Sequence, residues 1–152
     1  MTSPNFSGVN ISQNPSETIL RLPDYLEHIG QAGVRALALV SSLTQDAFLE
    51  DQDKQELVTF QFIIIGEASA KLMEKYKNFT EDHPEVKWAY MRRMRNAATH
   101  DYFKTDYLDT WMTTQRFLPD MLKKISVIRQ SMPKDDAPPT FALEASSKPL
   151  KM

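Results

Sequence analysis

Within the eight residues from Arg95 to Tyr102 the chain places a guanidinium, a carboxamide, an imidazole and a phenol on Arg95, Asn96, His100 and Tyr102, with Arg92 and Arg93 just ahead of them. Arginine presents a planar fork of donors suited to a phosphate, and histidine, with an unperturbed pKa of about 6.5, takes and gives a proton near neutrality. The two suffice for RNA cleavage without a metal ion. A base removes the proton of a ribose 2′-hydroxyl, the guanidinium offsets charge gathering at phosphorus, and an acid protonates the departing 5′-oxygen. The spacing sets a constraint. Positions five apart on an ideal helix lie about 140° out of phase, so Arg95 and His100 do not share a face of one helix. Either the helix ends near Thr99, or the site is assembled across a two-fold axis, where two copies also supply a separate acid and base.

Between Lys87 and Lys104 five cations (Lys87, Arg92, Arg93, Arg95 and Lys104) stand against Asp101 alone, although the whole chain carries a formal net charge of −2. That balance argues against coating nucleic acid through bulk charge and leaves a local site. Glu67 follows three isoleucines and Gly66, so it is either a solvated edge residue or a partly buried carboxylate that needs a cation, with Arg92 and Arg95 as candidates. Asn96 either meets RNA or holds the helix end. The bland counterparts are an ordinary ion pair for Arg95 and a helix C-terminal histidine for His100. His28 and His83 read as surface and cap residues.

With three histidines off metal-ligand spacing and no cysteine, neither a metal nor a cofactor is expected. Apolar runs such as Phe62–Ile65 are far shorter than the roughly 20 residues of a membrane span. A cytoplasmic protein is the expectation.

The elements that must position these residues are helices. Only four glycines and long stretches of helix-favouring residues point to an all-α protein. Residues 1–17 and 133–152, rich in proline and polar residues, read as flexible arms around a helical domain at 18–132. A first helix from Leu22-Pro23 carries a seam of Leu22, Leu26, Ile29, Gly33, Ala36, Val40 and Leu43. After a short turn at Asp46–Leu49, a second runs from about Asp53 to Tyr76 with Leu57, Phe60, Ile64, Ala68 and Leu72 inward. His83-Pro84 opens a third, bearing Trp88, Met91, Met94 and Ala98. The fourth carries Leu108, Trp111, Gln115, Leu118, Leu122 and Ile125, bent at Pro119. Short connections favour antiparallel neighbours and so a four-helix bundle. Met91 and Met94 also offer apolar area for a dimer interface.

The segment Arg95-Asn96-Ala97-Ala98-Thr99-His100-Asp101-Tyr102 resembles the R-x4-H-x-Y signature of HepT-like proteins in the HEPN superfamily. Four further blocks agree in order: Ile64–Ala68, His83–Trp88, Trp111 and Leu118-Pro119. The resemblance covers residues 20–130 or so and implies a dimeric helical ribonuclease, the toxin of a type VII-like toxin–antitoxin pair. It implies Arg95 and His100 as the catalytic pair, and the residues' own setting makes Glu67, Asn96 and Arg92 the candidates for support. It further implies Tyr102 as the tyrosine that receives AMP from an MntA-like nucleotidyltransferase antitoxin. A different class stays open, a catalytically silent HEPN-type subunit that presents a nucleotide or substrate to a nucleotidyltransferase.

Overall fold

The computed structural model describes residues 20–100 and 104–133, with the side chains of 97–100 excepted. The expected arms fall outside the described residues, Pro133 apart. Helix α1 (Leu22–Val40) opens where the Arg21 backbone N–H donates to Asp24 at 2.7 Å, with a proline in the first turn where its missing N–H costs nothing. Thr44 caps the short α2 (Gln45–Leu49) by accepting from the Ala47 N–H, and Asp51 caps α3 (Gln52–Lys75) by accepting from the Lys54 N–H. A further short helix, α4 (Lys77–Asp82), stands where the sequence predicted a connection, and α5 (Trp88–His100) follows.

The third helix starts at Trp88 rather than at His83-Pro84. His83 closes α4 through its N–H to Thr80, and the intervening turn is tied by the Val86 N–H and the Trp88 indole, both donating to the His83 carbonyl. The final rod comprises α6 (Tyr107–Met112), a π-helical segment (Thr113–Phe117) and α7 (Leu118–Ser131). Pro119 cannot donate to the Gln115 carbonyl. The chain meets this with a wide turn in which the Leu118 N–H reaches back to Thr113, so the rod passes Pro119 without ending.

The contacts of α1 with α7 run antiparallel, its earlier residues against the later ones of α7. The Lys75 ammonium meets the Tyr25 hydroxyl at 3.4 Å, Gly66 of α3 lies against Met91 and Arg95 of α5, and Gly30 and Gly33 of α1 lie against Arg129 and Leu122 of α7. The core they enclose includes Leu26, Ile29, Phe48, Val58, Ile65, Leu72, Met91, Leu118 and Ile125. Each such side chain, fully withdrawn from water, stabilises the fold by about 1.5–3 kcal/mol. Phe48 of α2 contacts Trp111 of α6 with ring centroids 5.5 Å apart and closes one end of the bundle.

Two expected seams need correction. On α3 the buried residues are Val58, Phe62, Ile65, Ala68 and Leu72, while Leu57 and Phe60 are 48% and 57% exposed and Ile64 is half-buried. Because α3 packs on both α1 and α5, its buried arc is wide and includes Gln55, Gln61 and Ser69. The four-residue apolar run therefore carries no phase of its own. On the last rod Leu108 and Gln115 face solvent and Thr110, Thr114 and Met121 are buried, because the π segment changes the residues per turn. Met91 and Met94 lie in the core, 0% and 8% exposed, and cannot form the dimer interface assigned to them. No helix among the described residues is long and apolar enough to cross a membrane.

Candidate active site

Arg95 occupies the place where α5 presses hardest on α3. A Cβ at Gly66 would collide with the Arg95 Cβ and stand 2.7 Å from the Arg95 backbone nitrogen and 2.9 Å from the Met91 carbonyl oxygen. Only a residue without a side chain lets the two backbones approach this closely. The next residue, Glu67, is carried round the α3 surface to meet the arginine, and its Oε2 accepts from Arg95 Nη1 at 2.8 Å.

Asn96 holds the other side of the guanidinium. Its Oδ1 accepts from Arg95 Nε at 3.3 Å and from Nη2 at 3.1 Å. A charge-assisted bond from one direction and a forked neutral acceptor from another fix the plane of the group. The Arg95 side chain keeps 30% of its surface and Glu67 keeps 51%, so this is a ready-oriented cation that solvent and solute can reach.

Of the two cations considered for Glu67, the structure brings Arg95 to it. Arg92, one turn earlier on α5, is exposed and lies about 60° round the helix from Arg95. Asn96 takes a third role beside the two expected, that of anchoring the arginine. α5 is described as far as His100, one residue past the end expected near Thr99, and over that span helical geometry leaves positions 95 and 100 about 140° apart. The His100 side chain and all of Tyr102 lie outside the described residues, as does Asp101. His28 and His83 stand away from this site; His83 pairs with Glu85 at 3.2 Å. Among the described residues no group of three or more His, Asp or Glu side chains could hold a metal ion.

Gly66 is the positioning residue that sequence reasoning did not single out. Its signal was a glycine in the middle of a 24-residue helix, where it costs about 1 kcal/mol relative to alanine and so calls for a packing reason.

Chemically, the arrangement offers a partly buried, pre-oriented guanidinium on the same helix as a histidine, in the cation-rich part of the chain. The profile of the ribonuclease HepT-like family matches residues 24–128. A Thermococcus cleftensis protein named "Probable ribonuclease HepT" is 33% identical over 111 residues, spanning 70% of this chain and 94% of that protein. A protein of Caldanaerobacter subterraneus subsp. tengcongensis that carries an RNase designation is 31% identical over 106 residues, 70% of this chain and 92% of its own length. A third, from Methanocaldococcus jannaschii and likewise designated an RNase, is 31% identical over 96 residues, 63% of this chain and 77% of its own. No solved structure matches the chain.

Proposed function

The chain belongs to the HepT-like ribonuclease family, and from that premise we propose that it is a metal-independent endoribonuclease, the toxin of a type VII-like toxin–antitoxin pair acting in the cytoplasm. The observation that carries this reading is the Arg95 guanidinium, held by Glu67 and Asn96 yet open to solvent on the helix that ends at His100. In the reaction, histidine as base takes the proton of a ribose 2′-hydroxyl. The oxygen attacks the adjacent phosphorus, Arg95 offsets the added negative charge, and the 5′-oxygen leaves with a proton from an acid. The products are a 2′,3′-cyclic phosphate and a free 5′-hydroxyl.

One histidine cannot be base and acid at the same instant, and the unbroken α5 keeps positions 95 and 100 on different faces. A homodimer groove, in which one copy's Arg95 works beside the other's His100, answers both constraints. What supports it is a stripe on α3 in which Leu57, Phe60 and the half-buried Ile64 recur at helical spacing and lead directly to Glu67. Control follows from the AMP acceptor. The Tyr102 hydroxyl attacks the α-phosphorus of ATP on an MntA-like nucleotidyltransferase, pyrophosphate departs, and the phenolic proton is lost.

Cleavage of RNA in EDTA with a cyclic-phosphate terminus is the expected result, and Arg95→Ala and His100→Ala each lose about 100-fold or more in rate while melting near the parent chain. Activity abolished by chelation and restored by magnesium refutes the mechanism. Equal loss of folding in both variants returns Arg95 and His100 to a structural role. No cleavage by the parent under any condition leaves the silent binding subunit.

A further inference from the structure

Far along α5 from Arg95, a groove of about 350 Å³ opens between the start of that helix and the junction of the π segment with α7. Tyr90 and Phe117 meet in it, ring centroids 4.5 Å apart, and the Tyr90 hydroxyl lies 3.1 Å from Thr113 Oγ1. Lys87 stands on one wall and Arg116 on the other. A second hollow of about 550 Å³ shares Val86, Lys87 and Tyr90 and adds Arg93, whose guanidinium carbon lies 6.0 Å from the Tyr90 ring centre. The two hollows adjoin along those shared residues, as a divided trough.

The trough also contains carboxylates, and each is already engaged by a neighbouring side chain. Glu85 pairs with His83 at 3.2 Å, Asp120 with Lys124 at 2.8 Å and Glu81 with Lys77 at 3.8 Å. A backbone hydrogen bond, with His83 second, holds the Glu85 carboxyl below the usual carboxylate range, so it stays ionised and engaged. Lys87, Arg93 and Arg116 have no carboxylate within ion-pair distance among the described residues. Cations left unneutralised beside half-buried aromatic rings suit a phosphate and a base together. The π segment supplies Thr113, Arg116 and Phe117, and such wide turns, costly in backbone hydrogen bonding, recur at functional sites.

We propose that this trough binds a nucleotide unit of the RNA strand outside the cleavage position, with Lys87 and Arg116 on phosphate and the Tyr90–Phe117 pair against a base. The assignment rests on the ribonuclease reading above. A free mononucleotide has the same chemistry, but a place on the same helix as Arg95, a few nucleotides along it and about 80° round from it at Lys87, favours a strand. Lys87 and Arg95 are eight residues apart, about 12 Å along the helix axis, which a stacked strand covers in three or four nucleotides at about 3.4 Å each.

The test uses the full chain carrying His100→Ala, so that RNA is not consumed, and a labelled single-stranded RNA of about 12 nucleotides, within the reach of one binding groove. Adding Lys87→Ala with Arg116→Ala, both exposed positions, should weaken binding about tenfold. It should also flatten the logarithmic salt dependence by about 1.4, the loss of two phosphate contacts at about 0.7 each. In the chain with His100 intact, the same pair should raise KM and leave kcat within about twofold, whereas Arg95→Ala lowers kcat. AMP is titrated in parallel. Unchanged RNA affinity and slope in the Lys87/Arg116 variant overturn the trough and leave the Arg95/His100 reading standing. AMP binding lost with RNA binding unaffected overturns the strand assignment in favour of a mononucleotide. Absence of RNA binding by the His100→Ala chain itself overturns the ribonuclease reading along with the trough.

Discussion

Glu67 and Arg95 meet at 2.8 Å with about half and a third of their side-chain surfaces in water, a setting in which screening leaves the pair worth about 0–1 kcal/mol to folding. Its value is directional. Glu67→Gln keeps the shape and removes the charge, so melting should shift by no more than a few degrees while kcat/KM falls about tenfold, or about 1.4 kcal/mol of transition-state stabilisation. A double-mutant cycle with Arg95→Ala separates the roles: once the arginine is gone, Glu67→Gln should cost nothing further in rate, and strictly additive losses exclude a positioning role. Tyr102 belongs to the same scale. On the function proposed above, AMP on its oxygen would add bulk and at least one negative charge near the cleavage motif and so compete with RNA phosphate for Arg95. Incubated with the nucleotidyltransferase and ATP, the parent chain should gain the mass of AMP and lose cleavage, while Tyr102→Phe should gain no mass and keep cutting. Equal mass gain by both places the acceptor elsewhere.

At the scale of elements, the α3–α5 contact is the part least tolerant of change. The atoms that a Cβ at Gly66 would meet are mainly backbone, which cannot swing aside as the end of a long side chain can. Gly66→Ala should therefore cost about 2–3 kcal/mol, lower the melting temperature by about 2–4 °C for each of these, and move Arg95 enough to lose most activity. Retained rate and stability would show that the helices can part without consequence. Gly33 differs, since what its Cβ would meet is the far end of Leu122 and Met121. Helix α1 was legible in the sequence because one continuous seam and a proline start agree with each other. Helix α3 was legible in extent but not in phase, since two neighbours share it and glutamines enter its buried arc. The turn between α4 and α5 was misread because His83-Pro84 carries a start signal that the His83 carbonyl spends on the Trp88 indole. Pro119 announced a disturbance, and its form as a π segment depended on packing that no local pattern encodes. Glu67 with Arg95 was foreseen as one of two pairings; the clamp by Asn96 was not, because adjacent residues on a helix do not ordinarily face each other.

For the whole molecule, the exposed apolar side chains that lie nearest the candidate site are those on α3. Leu57 and Phe60 face water on the longest helix, beside the Ile64 and Glu67 that lead to Arg95. Phe60→Glu should leave the lone chain's stability within about 0.5 kcal/mol, as expected of an exposed position. It should also turn a dimer into a monomer in sedimentation and remove cleavage with Arg95 and His100 both intact. A Phe60→Glu chain that sediments and cleaves like the parent puts the contact on another face. Mixing it with Arg95→Ala chains tests the shared groove further. A site divided between two copies, as proposed above, would make potency a matter of dosage. Below the concentration at which half the chains are paired, the active population grows about as the square of the amount synthesised, so halving expression removes about three quarters of the cleavage. Growth inhibition should then rise steeply with promoter strength, and a cell with a leaky promoter should tolerate the gene until its product passes a threshold set by the stickiness of one phenylalanine and one leucine.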